Sequence, residues 1–410
     1  MKQLSLIIIL IFTISVQYLH ARTFSDPSVK LEGYTGGVIM QGGISGVSTS
    51  ATADSIKWLI KPELDKLSTG DEWMTSFEFK DGLLAVKKKG KWGYIDKKGK
   101  FVIEPQFDGA RGFYKGIAAV YIKGGWKNDK HTPDKWIFIN KKGEIATESQ
   151  FDNIYDFSEG LAPVYKDGKW GYVDHQGKFV IEPRFTYAVP FSDGMAGVIT
   201  GSMITGDYGY INKKGDVVIE PRFCYQCGGI HPFSEGITFV NDNFGGNGYI
   251  NKKGNYILQP GVSWVSEFSE GLAVVLIKNN AFSIKNGYIN RRGQLVIDSQ
   301  FDKALSFSEG LAAVKKDGSW GYIDRQGNFA INPQFDMAWN FKSGLAAVQI
   351  NGRYGYINKK GEIVIAPMFD RALEFKDGVA RVEAGGKTGY ILNPLTAKAI
   401  KEGKPEKKKQ

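Results

Sequence analysis

Histidine and cysteine are nearly missing from this chain, with four His and two Cys in 410 residues. His20 lies in an apolar leader, and His131, His175 and His231 fall at different places within a repeating unit. Neither a metal-ligand spacing nor a nucleophile motif forms around them. No metal, cofactor or catalytic residue is expected. Long apolar runs are equally scarce. The one run, Leu4 to Val16, is shorter than the roughly 20 residues a membrane span needs, and no cysteine follows it for lipid attachment. Helix signals are almost absent as well.

What opens the chain is a basic Lys2, that apolar run and a small residue at Ala21, the pattern of a secretory signal peptide over residues 1–21. The expectation is an exported chain, periplasmic or at the cell surface, with no transmembrane span once the signal is removed. Residues 22–56 include "GYTGGVIMQGGISG" (Gly33–Gly46), which lacks the Lys-Ser/Thr ending of a phosphate loop and reads as a linker. Residues 398–410 lack an apolar core and read as a basic disordered tail. Of the net charge of +10, the tail holds +4 and Lys2 another +1. About +5 is left for the body, a modest field that argues against a nucleic-acid partner.

The body, residues 57–397, is a repeat. Gly93, Gly171, Gly209, Gly248, Gly287, Gly321, Gly355 and Gly389 each precede Tyr, and Ile137 takes the place of Gly once. The intervals are 44, 34, 38, 39, 39, 34, 34 and 34 residues, a 34-residue period with insertions. Within one unit, Leu311-Ala312-Ala313-Val314 reads as a strand and Asp317-Gly318 as a hairpin turn. Trp320 to Asp324 reads as a second strand, Arg325-Gln326-Gly327 as a turn, and Phe329-Ala330-Ile331 as a third strand that Pro333 ends. The fold class is therefore all-β, a tandem array of about nine three-stranded β-meander units.

Glycine inside a strand costs roughly 0.5–1 kcal/mol relative to Ala. Its recurrence while the preceding residue drifts (Trp92, Tyr208, Asn247, Thr388) points to a side chain or backbone packed on the bare Cα. Both faces of the second strand are apolar, so units must stack on both sides, as a propeller-like ring or an open β-spiral or solenoid. Nine units exceed the usual 4–8 blades and favour the spiral. Residues Trp58 to Asp65 align with Phe101 to Asp108 as a third strand that would close a ring. Ile56, Leu59, Ile60, Leu64 and Leu67 fit a helix equally well.

The phrases "KWGYIDKKGKFVIEPQFD" and "FSEGLAAVKKDGSWGYID" resemble the WG (also written KWG) repeat family of bacterial proteins, from Phe77 to Leu392. The resemblance implies an all-β tandem repeat without established catalytic residues.

Asp96, Asp174 and Asp324 stand before turns where Asn140, Asn212, Asn251, Asn290 and Asn358 replace them, which suits turn hydrogen bonding and not acid catalysis. "CYQC", Cys224 and Cys227, lacks the helix of a redox motif and reads as a local disulfide, with a redox or metal site as the alternative. Charge placed by the repeat is the most suggestive functional feature. The turns after the second strand carry Lys97-Lys98, Lys141-Lys142, Lys213-Lys214, Lys252-Lys253, Arg291-Arg292 and Lys359-Lys360. Those entering the first strand carry Asp81, Glu159, Asp193, Glu235, Glu270, Glu309 and Asp377. Stacking would align them into a basic rim and an acidic rim. The expected function is a non-catalytic binding or scaffolding protein of the cell envelope or exterior, with a protein partner. An anionic polysaccharide on the basic rim is the alternative, and an envelope glycan-acting enzyme is the competing class.

Overall fold

The computed structural model describes residues 56–68, 78–127, 130–202, 206–241, 247–258, 264–280 and 283–396. All belong to the unit Gly46–Gln410. The expected leader (1–21), the Gly-rich stretch up to residue 55 and the tail (398–410) lie outside them. The described residues form nine small antiparallel sheets in a ring, a nine-bladed β-propeller. No helix among them is long and apolar enough to cross a membrane.

Blade 7 shows the plan. From the axis outward its strands are Lys303–Ala304, Ala312–Lys316, Ser319–Ile323 and Phe329–Phe335, here called inner, first, second and outer. Seven of the nine sheets have four strands, one more than the expected meander. The extra strand is the connector itself: Met337 and Ala338, on the way into blade 8, pair with Gln349 and Val348. Two residues suffice because Ala338 is buried against blade 7 while the backbone continues the ladder.

The outer strand runs through Pro333 to Phe335 instead of stopping there. Trp320 pairs with Phe335 and Tyr322 with Ile331, so Asn332, Pro333 and Gln334 all stand opposite Gly321 in a wide bulge. Proline is tolerated because this strand is the blade's free edge and owes no hydrogen bond on that side. It also blunts the edge against pairing with other chains. The bulge explains the repeated glycine. A Cβ at Gly321 would lie 2.6 Å from the Ile331 carbonyl oxygen and 2.7 Å from Pro333 N. Gly93, Gly171, Gly209, Gly287 and Gly355 meet their own bulges in the same way, with nearest backbone atoms at 2.3–2.7 Å.

The core lies between blades. Trp320, Tyr322 and Phe335 of blade 7 pack on Ala338, Phe341, Val348 and Ile357 of blade 8. The buried Tyr322 hydroxyl donates to the Trp339 carbonyl at 2.8 Å, and its ring lies 4.8 Å from that of Phe341. Six tyrosines make this bond to the residue seventeen positions on (Tyr94, Tyr172, Tyr249, Tyr288, Tyr322 and Tyr356). Each ties one blade to the connector entering the next.

The ring closes, against the spiral that the blade count favoured. Trp58–Asp65 is a strand, not a helix, and forms the outer strand of blade 9 beside Lys387–Leu392. Ile60 pairs with Tyr390, Leu64 with Thr388 and Asp65 with Lys387. Ile60 and Leu64 also pack on Leu84, Val86 and Ile95 of blade 1, so tertiary burial decides between two periodicities that both fitted. Gly389 faces the closing strand, where a Cβ would lie 3.0 Å from the Ile60 carbonyl oxygen.

Candidate functional site

In a sheet whose strands alternate in direction, alternate connections share an end. The turn from inner to first strand and the turn from second to outer strand therefore lie on one side of the ring, the turn face. The first-to-second hairpins and the outer-to-inner corners lie on the opposite side, the hairpin face. The expected basic and acidic rims thus share a single face.

On the turn face, Ser308 and Leu311 pair across Glu309-Gly310, two residues with φ of 56° and 87°. This is the left-handed pair a tight two-residue turn needs. The turn is stitched to blade 8 in three places. Ser308 Oγ donates to the Phe341 carbonyl at 2.8 Å, Gly344 N donates to Glu309 Oε2 at 3.0 Å, and Lys359 Nζ lies 3.3 Å from the same carboxylate oxygen. Lys359 also donates to the Glu309 carbonyl at 2.7 Å. The pattern recurs. Glu159 binds Gly194 N and Lys213, Asp193 binds Gly236 N and Lys252, and Glu270 binds Gly310 N and Arg325. Glu235 pairs with Arg291. Asp81 accepts from Gly116 N, and its carbonyl accepts from Lys141. The hydrogen bond from Lys252 outweighs desolvation at Asp193 and, with the Gly236 N–H, holds its carboxyl below the usual range.

The two members of each basic pair thus have different surroundings. Lys141, Lys213, Lys252, Arg291 and Lys359 reach back to the preceding blade. Lys97, next to the ring closure, makes no such bond among the described residues. Lys98, Lys142, Lys214, Lys253, Arg292 and Lys360 are exposed. Their backbone N–H groups are capped by the side-chain oxygen of the Asp or Asn two residues earlier, as at Lys98 (2.8 Å) and Lys360 (3.0 Å), while their charged ends make no ion pair with another described residue. A search for basic pairs misses Arg325, whose neighbour is Gln326. Its signal was position in the repeat, not composition.

On the hairpin face, Cys224 and Cys227 form a disulfide within the corner from blade 4 to blade 5. Tyr225, between them, lies 5.8 Å from the ring of Tyr187. Three carboxyls are pushed up by burial, Asp156, Glu267 and Glu374. They sit in separate blades, 3, 6 and 9. No cluster among the described residues is suited to hold a metal ion.

The chain belongs to the WG containing repeat family, which matches nine consecutive segments: 57–92, 92–126, 136–170, 170–202, 208–243, 248–280, 287–320, 320–354 and 354–387. No curated protein matches it. Among solved structures it is similar to BamB from Moraxella catarrhalis, with 9% identity and TM-score 0.37 over 80% of this chain and 99% of that one. It is also similar to the extracellular domain of the two component system BT3049 from B. thetaiotaomicron, with 9% identity and TM-score 0.32 over 78% and 62%. Hsv2 from Kluyveromyces lactis gives 10% identity and TM-score 0.29 over 75% and 92%.

Proposed function

We propose that this WG-repeat ring is a non-catalytic binding scaffold, exported to the cell envelope or exterior, that engages an acidic protein partner on its turn face. One observation carries the reading: six cations, Lys98, Lys142, Lys214, Lys253, Arg292 and Lys360, recur at one position while the neighbours of the last five are absorbed into blade-to-blade stitching. Exposed charges contribute only ~0–1 kcal/mol each to stability, yet a ring of them creates a field that captures an anionic partner. An anionic polysaccharide is a second reading, supported by the same spacing, since one cation per blade suits a charge that repeats along a polymer. Export rests on the leader, and N-terminal sequencing of the mature protein tests it.

The binding test uses two immobilised probes, poly-glutamate and a uronic-acid polymer. The variant changes Lys98, Lys142, Lys214, Lys253, Arg292 and Lys360 to Glu and leaves every first cation in place. Wild type is expected to bind at low ionic strength and release as salt rises. The variant should keep its melting temperature and lose binding at least tenfold. Undiminished binding by the folded variant contradicts the reading.

A further inference from the structure

Every extra residue in the repeat lies on the hairpin face. The valine of each first strand pairs with the glycine position of the second strand. Their separation is 7 residues in blades 1, 3, 7, 8 and 9, but 17, 11, 8 and 12 in blades 2, 4, 5 and 6. The outer-to-inner corner spans six residues, as from Phe335 to Phe341, except between blades 4 and 5, where Phe223 to Phe233 spans ten, and at the ring closure, where Leu64 to Phe79 spans fifteen and carries charged residues. On the turn face nothing varies. The repeat phenylalanine precedes that valine by seven residues in all nine units, from Phe79–Val86 to Phe375–Val382.

Tolerance alone explains insertions anywhere on a free surface. It does not explain an insertion that is stapled, anchored and uncharged. The corner Tyr225–Pro232 carries no Asp, Glu, Lys or Arg, in a chain where these make up 23%. The disulfide pins one end, and Gly229 N donates to the Tyr225 carbonyl at 2.8 Å. Ile230 packs so closely on Gly197 of blade 4 that a Cβ there would lie 2.2 Å from its methyl group. His231 sits edge-on to Phe239 at 5.7 Å, and burial lowers its pKa. The ordered corner presents half-buried Tyr225 beside exposed Gln226. Its neighbour in blade 4, Thr200-Gly201-Ser202, is exposed and also uncharged. In blade 6, Ile284 is 54% exposed.

We infer that the stapled corner Tyr225–Pro232, with Thr200–Ser202 beside it, is a second docking surface, for a protein partner of low charge. Protein interfaces are depleted of charge at their core and enriched in Tyr, and Gly, Ser and Asn loops supply adaptable contacts around such anchors. A rigid loop also loses less entropy on binding. This surface is separate from the turn-face cations, and its binding should not follow ionic strength.

The test pans a random-peptide phage library on the full-length protein at about 0.5 M salt, where surface charge is screened. Enriched peptides should bind equally at low and high salt and lose at least tenfold with Gln226→Arg or Ser202→Arg, both exposed positions. Melting curves confirm folding. Binding should also fall on reduction of Cys224–Cys227 and persist in the six-site turn-face variant. Three results overturn the inference: no enriched peptide, peptides indifferent to both substitutions, or binding of neutral glycans in place of peptides.

Discussion

The two faces of this ring are made by the same repeat and obey different rules. On the turn face, loop length never changes, and from blade 3 to blade 8 the Ser, acid, Gly and Lys or Arg positions hold each blade to its neighbour. On the hairpin face, loops range from two residues, as at Asn351-Gly352, to the added hairpin Gly125–Lys127 and Lys130–Thr132 of blade 2. The difference shows where architecture ends. A residue inserted into a stitched turn displaces three inter-blade contacts at once, whereas one inserted into a hairpin tip displaces at most the bond from the tip glycine to the corner Asp, as from Gly352 N to Asp336 Oδ2 at 3.2 Å. Repetition in the sequence marks assembly, and departure from repetition marks surface that assembly leaves free to vary.

The largest effect is expected beneath both faces and calibrates the comparison. Gly321→Val puts a side chain where backbone stands 2.6 Å away, so stability should fall by about 3 kcal/mol, read as a lower denaturant midpoint. A neutral result would show that the bulge is soft and that the glycine serves something else. A smaller loss is expected on the turn face. Ser308→Ala leaves the Phe341 carbonyl without its side-chain donor and should cost about 1 kcal/mol. The same change at the hairpin position Ser319, which is partly exposed, should cost almost nothing.

Acidity sharpens the comparison further. The Asp193 carboxyl is held low by Lys252, so its contribution is present above the unfolded carboxylate pKa and is lost as pH falls through the folded value, below about pH 4. Asp156, Glu267 and Glu374 have the opposite sign. Burial raises them, so protonation as pH falls through their elevated values favours the fold. Melting temperature should hold or rise slightly from pH 7 to 5 and then drop below about pH 4. Asp193→Asn should shrink that drop, and an unchanged drop would remove the acid from the stitching. The smallest effect belongs to the exposed cations: Lys360→Glu should move stability by less than about 0.5 kcal/mol.

Much of the blade was legible in the sequence because its signals are local. The second strand, the Asp317-Gly318 turn and the Asp324 turn lie within a few residues of their partners, and the structure has them as read. What escaped depends on distance or edges. Met337-Ala338 is too short for an alternating pattern, so the inner strand passed as connector. Pro333 looked like a terminator because an edge strand's lack of obligations cannot be seen before the sheet is assembled. Glu309 and Lys359 lie fifty residues apart, and only closed geometry shows that the acidic and basic positions meet. The segment around Ile60 and Leu64 fitted helix and strand alike until the partner strand at Tyr390 was in place.

The most direct test of the two-face account is a matched pair of insertions in blade 8. Gly-Ser-Gly-Ser is placed after Lys360 on the turn face in one variant and between Asn351 and Gly352 on the hairpin face in the other, and thermal unfolding is compared. The account predicts a loss of several kcal/mol for the turn-face insertion, which displaces the Lys359–Glu309 contact and the register of the outer strand. The hairpin insertion should cost only about 1–2 kcal/mol, the loop-closure entropy plus the exposed bond from Gly352 N to Asp336. Equal losses from the two insertions would contradict it.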